Sequence, residues 1–514
     1  MDSLEKQKIA GIQKEKGEKV KKSLDASVKD AMAFNVMQGA GINFMNAFAV
    51  ALKATNFQIS MLVSIPQLLS AWIQLLSSEL LEIVKDRKKL IGIFVFLQAI
   101  TWIPILLAPF IFTGLNSSWI VWFVIIFYTM FTVFGAIVGP IWQSLMGDLV
   151  PIENRGTYFG MRNAAAGTIT LLITLFAGFY LNIFPQSKIL YGFAALFFIS
   201  FLARMISRHF LMKMHDPQFI PNRAAQFTFP QFISKMRSNN FGNFVLYVSC
   251  LSLAVNIAAP FFAVYQLRYL HFDYLTFTLI AIAPMISTLF MMQYWGPIAD
   301  RFGNQKILRV CGLMVSLIPL YWFLFKDPVL IFLCEFFISG FFWAGFNLAA
   351  GNFIFDTTTP EKRTRCAAYY NIFNGTGVFI GAMIGGILAT IIPNDFLIFK
   401  INLLAIFLIC FFARIGVWYV FQNRIKEVRL VEEIKDRQMF YNAIVGNPFK
   451  GFTVELITTL ATRTEKTAHN IAKLPKIIKD EMHEIDNRVE HAIEGVVQTA
   501  DKIVKRKRKE KPKE

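Results

Sequence analysis

Long apolar stretches alternate with short polar ones along most of the chain. About twelve of the apolar stretches reach the roughly 20 residues that a helix needs to cross the hydrocarbon core of a bilayer. They fall at 31–51, 58–80, 90–112, 119–142, 157–182, 188–210, 241–267, 275–298, 306–325, 328–351, 367–392 and 396–421. Residues 1–30 and 422–514 are dense in Lys and Glu instead and read as polar tails. The longest internal connection, 211–240, is basic, holds Pro217, Pro221 and Pro230, and follows the sixth stretch. The pattern therefore predicts an all-α integral membrane protein of twelve transmembrane helices, with six-helix bundles at 31–210 and 241–421 joined by that linker.

Composition supports the same reading: 55% of the 514 residues are hydrophobic and only 17% are charged, below the quarter usual in soluble domains. The formal net charge of +18 sits in the tails and in alternate loops. One set of loops holds Lys85, Arg87, Lys88, Lys89, Arg155 and Arg162, and later Arg301, Lys306, Lys362 and Arg363; the opposite set has little beyond Lys53, Lys188, Arg268, Lys326 and Lys400. Basic loops are retained on the cytoplasmic side, so both termini are expected in the cytoplasm of a multi-pass plasma-membrane protein, and no nucleic-acid partner is needed to explain the charge. The polar start lacks the apolar run of a cleavable signal peptide, which makes the first span the expected insertion signal. Five scattered cysteines lack metal spacing and read as core residues. No clustered His, Cys and carboxylate set suggests an enzyme, a metal or a cofactor, and no P-loop suggests ATP-driven transport.

The two halves repeat each other. Asp148 and Asp356 lie 208 residues apart, and the same spacing pairs Glu153 with Glu361, Arg155 with Arg363, Asn163 with Asn371, Gly167 with Gly375 and Gly178 with Gly386. Upstream, Asp86-Arg87-Lys88-Lys89 pairs with Asp300-Arg301-Phe-Gly303-Asn-Gln-Lys306 at a spacing of 214. Parallel repeats of six helices are one common transporter architecture.

The stretch Gly296-Pro-Ile-Ala-Asp300-Arg301-Phe-Gly303-Asn-Gln-Lys306 resembles the loop signature G-x-x-x-D-R-x-G-R-R-K of the major facilitator superfamily, and the loop around Asp148, Glu153 and Arg155 resembles that family's second cytoplasmic signature. In the first half, Ser77-Ser-Glu79-Leu-Leu-Glu82-Ile-Val-Lys85 stands where the family has glycine and small residues. The resemblance covers about residues 31–421 and implies a secondary active transporter of a small solute, working by alternating access, with H+ or Na+ as the coupling ion. It also implies a cytoplasmic latch. Asp86 with Arg87 and Asp300 with Arg301 would hold the ends of the two halves, with Glu153, Arg155, Glu361 and Arg363 as partners, and Asp148, Gly303 and Asp356 would belong to the same latch. Charge pairs of this kind can break and remake as the halves rock.

Substrate contacts are expected where polar side chains enter the spans, because each is costly in lipid unless it faces protein or water. Asn35, Gln38, Asn43 and Asn46 cluster on one sector, roughly 140° wide, of the first helix. Asn256 and Gln266 lie in the seventh helix, Trp343 and Asn347 in the tenth, and Asn374 in the eleventh. Each amide could equally bridge two helices. Asn163 and Asn371 repeat near the cytoplasmic ends, which favours a shared structural task. Glu335 is the one acidic residue placed well inside a span, so it is the candidate for proton coupling, with a hydrogen bond to a neighbouring helix as the alternative. The fifth span lacks the Gly-Pro pattern of the family's drug and proton antiporters.

Beyond Pro475, apolar residues recur at threes and fours from Ile478 to Ile503 and lead into Lys505-Arg-Lys-Arg-Lys509. An amphipathic helix there could lie on an anionic membrane surface or self-associate. A transport-inactive receptor or scaffold acting through this tail is the competing function.

Overall fold

A computed structural model gives the fold and describes residues 3–432 apart from 113–116, 152–154, 218–228, 237, 395–400 and 430. Glu153 and the tail beyond 432 lie outside the described residues. Twelve helical rods are present among those described. In the first half they are α1 (Ser3–Ala40, extended by Met45–Ala51), α2 (Asn56–Ile73 with Leu76–Val84), α3 (Arg87–Ile111), α4 (Ser117–Leu149), α5 (Arg155–Asn182) and α6 (Ile189–Lys213). In the second half they are α7 (Asn240–Tyr269), α8 (Tyr274–Phe302), α9 (Asn304–Leu324), α10 (Pro328–Thr357), α11 (Pro360–Ile391) and α12 (Asn402–Phe421). A short helix, Phe229–Lys235, lies in the linker.

Ten rods are long and apolar enough to cross a membrane. The other two, α1 and α2, are interrupted by a turn near Ile42–Phe44 and by a break after Ile73. Large apolar side chains such as Ile126 and Phe412, 56% and 66% exposed, point outward as lipid-facing groups would. Several rods start on a side-chain cap: the amides of Lys89, Thr276 and Leu330 donate to Asp86, Asp273 and Asp327 at 2.8–2.9 Å.

The first rod starts at Ser3, well before the predicted boundary at 31. Ser23, Ala26, Ser27 and Asp30 are buried, the Leu24 carbonyl accepts from the Tyr158 hydroxyl, and Ser23 Oγ accepts from the His215 amide. Protein partners rather than lipid cover this stretch, so its polarity concealed it from a hydropathy reading.

The halves meet along two seams, α2 against α11 and α5 against α8. Small residues make the approach possible. Ser60 Oγ donates to the Ala382 carbonyl at 2.7 Å, and a Cβ on Gly386 would lie 2.7 Å from Ser60 Oγ. A Cβ on Gly178 would overlap the side chain of Thr278. These contacts lie toward the far end of the bundle, opposite Asp86, Asp148, Asp300 and Asp356, which mark what is called here the motif end. Also at the far end, Arg268 Nη2 donates to the Ala54 carbonyl at 2.7 Å, tying α7 to the loop after α1. At the motif end the packing is different. A Cβ on Gly139 or Gly147 in α4, Gly160 in α5, Gly296 in α8 or Gly351 in α10 would meet nothing within 4 Å. Amide side chains at exposed positions of the spans, Gln143, Asn163, Gln293 and Asn347, belong to the same four rods. Such groups are costly against lipid and suit a water-filled space.

Substitutions at the two ends should therefore differ. Gly386→Val or Gly178→Val should destabilise the purified protein by about 1–3 kcal/mol through overpacking. Gly147→Val should stay within about 0.5 kcal/mol of the parent, as expected where no neighbour is displaced. Thermal unfolding in detergent reads both, and equal losses at the two ends would contradict the asymmetry.

Candidate functional site

A cavity of about 580 Å³ opens within the first half, walled by α1, α3, α4, α5 and α6 and touched from the second half by Met285 of α8. Its charged lining consists of Asp30, Arg162 and Arg204. Asp30, 4% exposed, accepts from Ser207 Oγ at 2.6 Å through Oδ1 and from Arg162 Nη2 at 3.4 Å through Oδ2. Arg162 also donates through Nε to the Ser27 hydroxyl at 3.2 Å, and its guanidinium lies 4.4 Å from the Trp142 ring centroid. Arg204, also 4% exposed, donates to Gln98 Oε1 and Ser207 Oγ, each at 2.7 Å, and rests 4.9 Å from the Phe34 ring centroid. The arrangement is rigid because every charged group has a neutral or ionic partner on a different rod.

The second half carries an echo of this cluster. Arg414 of α12 is 1% exposed and donates to the carbonyls of Val315 at 2.9 Å and Val255 at 3.4 Å. Glu335 lies within its electrostatic reach. The glutamate Oε1 accepts from the Tyr321 hydroxyl at 2.6 Å and from Trp322 Nε1 at 2.8 Å, both on α9. Glu335 begins a π-helical stretch, Glu335–Gly340, whose wider turn rotates the following face of α10. Its carboxylate is thus held inside the second half and is absent from the lining of the cavity.

The remaining polar candidates divide. Asn35 and Gln38 line the cavity, and Asn35 Oδ1 accepts from Thr170 Oγ1 at 2.7 Å. Asn43 reaches Thr174 Oγ1 at 2.8 Å and bridges α1 to α5. Asn46 is half-buried on Met45–Ala51. Asn374 Oδ1 accepts from Ser252 Oγ across the α7–α11 contact, whereas Asn256 donates to the Ser252 carbonyl one turn earlier in its own helix. Gln266 is buried in a second π-helical stretch, Tyr265–Tyr269. Trp343 packs edge-on against Phe346, and Asn347 is exposed. The pair Asn163 and Asn371, expected to share one structural task, does not: Asn163 lines the cavity, whereas Asn371 Nδ2 donates to Gln74 Oε1 across the α2–α11 seam at 3.3 Å.

Asp30, Arg162 and Arg204 were not among the residues expected in the cavity. Asp30 fell in the supposed tail, and Arg162 was counted as a topological charge. A signal for Arg204 was present: Phe201-Leu-Ala203-Arg204 and Phe411-Phe-Ala413-Arg414 match at a spacing of 210, between the two spacings of the other repeats. An arginine recurring inside an apolar span is costly and marks a constrained site.

At the motif end the acidic and basic residues form one clamp in each half. Arg87 is fully buried; its Nη1 donates to Asp148 Oδ2 at 2.6 Å, its Nε to Asp216 Oδ1 at 2.9 Å and its Nη2 to the Pro217 carbonyl at 2.6 Å. In the second half the guanidinium comes from Arg429, beyond α12, which lies 3.2 Å from Asp356 and 3.7 Å from Asp300. Asp356 also accepts from Asn304 Nδ2 at 2.8 Å. Gly303, with φ +86°, takes the left-handed turn between α8 and α9, and a Cβ there would overlap Glu427, whose Oε2 accepts from the Gln305 amide at 2.9 Å. Arg301 pairs with Glu432 at 2.8 Å on the surface. Arg155 donates to the carbonyls of Gly147 and Val150. Glu361 and Arg363 fall in the first turns of α11, described in backbone only. Each ion pair named here lies within one half or its flanking segment.

The sequence profile of the Major Facilitator Superfamily matches residues 31–292 and, again, 244–467. No curated protein matches the chain in sequence. Among solved structures, the chain is similar to the nucleoside transporter NupG (TM-score 0.59, 14% identity, over 79% of this chain and 99% of that one). It is also similar to a D-xylose-proton symporter (TM-score 0.59, 11% identity, over 80% and 98%). A third is a bacterial homologue of the iron transporter ferroportin in an inward-facing state (TM-score 0.57, 12% identity, over 80% and 99%). At these identities the likeness is one of fold, and it extends over nearly the whole of each neighbour. With a family profile that spans both repeats and a twelve-rod bundle built like those of transporters, this multi-pass membrane protein belongs to the Major Facilitator Superfamily.

Proposed function

We propose that the protein is a secondary active transporter of a small solute, driven by an ion or proton gradient and working by alternating access across the plasma membrane. In this reading the motif end faces the cytoplasm, both termini lie on that side, and the conformation described above is open to it. The observation that carries the proposal is the asymmetry of packing, with small residues closing the seams at the far end and open glycines at the motif end, one of them, Gly139, bordering the cavity that holds the charged cluster. A carrier needs one closed gate and one open gate around a site reached from a single side at a time.

The clamps fit this mechanism as stiffeners. Arg87 with Asp148 and Asp216, and Arg429 with Asp300 and Asp356, tie three segments within each half, so each half rocks as a body. Asp86 caps α3, and Gly303 allows the tight turn into α9. Solute contact falls to the cavity around Asn35, Gln38 and the charged cluster. Glu335, tied to Tyr321 and Trp322, has a task in holding α9 to α10. No contact among the described residues favours the scaffold reading.

Two outcomes test this. Spin labels at Lys89 and Thr359 report the motif end, and labels at Ser187 and Lys326 report the far end. A transported solute should shorten the first distance while lengthening the second in part of the population. One unchanged distribution at both ends, under every solute and pH gradient tried, would overturn alternating access. Glu335→Gln keeps an acceptor for both donors, so the pH dependence of solute flux in liposomes should match the parent. Glu335→Ala should lose about 1–3 kcal/mol of stability for each donor left unpaired. A flux that loses its pH dependence in the Gln variant would restore Glu335 as the coupling group.

A further inference from the structure

We infer that the cavity of the first half selects solutes carrying a single net negative charge, with Arg204 and Arg162 as hosts for the anionic group and Asp30 setting how much charge is accepted. The inference rests on the proposal that this cavity is the transport site and gives that site a substrate class.

The argument is one of charge balance. Two guanidiniums and one carboxylate line the cavity, and the rest of its lining is uncharged. Asp30 spends one oxygen on Arg162 and the other on the Ser207 hydroxyl. Arg204 has neutral hydrogen-bond partners, the Gln98 amide oxygen and the Ser207 hydroxyl, beside the face of Phe34, and it shares the charge of the single Asp30 carboxylate with Arg162. Hydrogen bonds to dipoles satisfy its N–H groups without cancelling its charge. One carboxylate cannot neutralise two buried guanidiniums, and a second carboxylate matches the planar fork of a guanidinium better than any neutral group does. A solute with one negative charge brings the cluster to neutrality, whereas a dianion overshoots it. The other walls fit an organic acid: Phe34, Trp142, Val138 and Leu211 offer apolar surface, and Asn35 and Gln38 offer amides for a hydroxyl or carbonyl. The volume lies in the range of sites for small organic molecules.

The test uses the full-length protein in lipid nanodiscs, with benzoate, nicotinate, pyruvate and the dianion phthalate as probes, together with benzamide and nicotinamide as neutral isosteres. At about 5 mM, one or more monocarboxylates should raise the unfolding temperature by a few degrees while the matching amide does not. Arg204→Gln should weaken that binding roughly 10- to 100-fold, the loss expected for a charge-assisted pair, and Arg204→Lys should restore part of it. Asp30→Asn raises the cavity by one positive charge, so phthalate should overtake the monocarboxylates. A purely structural Asp30 would not reverse that preference. Equal shifts from acid and amide, binding that survives Arg204→Gln in a folded variant, an unchanged order in Asp30→Asn, or no shift from any acid would each overturn the inference. The spin-label pairs, read in the same samples, separate the two proposals. Rocking driven by a neutral solute would keep the transporter and remove the anion class. Acid binding with both distances fixed would keep the anion site and remove transport.

Discussion

The close approach of α2 to α11 and of α5 to α8 is the contact on which the arrangement of the two halves depends. Helices in lipid gain nothing from excluding water, so their association rests on van der Waals contact and interhelical hydrogen bonds, both of which need backbones brought near. Gly178, Gly386 and Ser60 provide that nearness at the far end, and the Ser60 hydroxyl adds a bond to the Ala382 carbonyl. A seam built this way is short-ranged, since a methyl group's worth of extra volume would part it. It can hold firmly in one position without fixing the rods along their whole length.

Rigid halves and a deformable boundary between them require that charges be settled inside each half. Arg87 is enclosed by acceptors from α4 and from the segment after α6, and Arg414 by carbonyls of α7 and α9. The repeat preserves this solution while exchanging its parts. The first residue of α3 supplies the cation of the first clamp, and the segment after α12 supplies that of the second. The acids at the ends of α4 and α10, Asp148 and Asp356, keep their places in both. The buried clusters diverge further: the first borders open space, and the second is sealed by Tyr321 and Trp322.

Much of the architecture was legible because lipid imposes length and apolarity on each span, and because the 208-residue spacing aligned the halves before any contact was known. Asp148 stood out as a latch residue through its repeat at Asp356, while its pairing with Arg87 inside one half came from the fold. Arg429 and Glu427 were not legible, because nothing local distinguishes a residue that folds back onto partners far earlier in the chain. The cavity was half legible. Asn35 and Gln38 stood out as amides in an apolar run, but Asp30 lay in a stretch whose polarity resembled a soluble tail, and single arginines barely alter the mean hydropathy of a span. The facing of Glu335 and Gln266 was beyond a 100° rule because both sit in π-helical turns, where that angle no longer holds.

The clamp segments follow the last helix of the half they close. Asp216 comes three residues after the end of α6, and Glu427 and Arg429 come within eight residues of the end of α12. The first six rods and the residues that clamp them are therefore complete in the chain before α7 begins. The first half can be locked as a finished body while the second is still being made. The second half waits for the residues just past α12, and until they arrive the amide at the start of α9 lacks the carboxylate that caps it. The order of translation and the order of mechanical closure coincide.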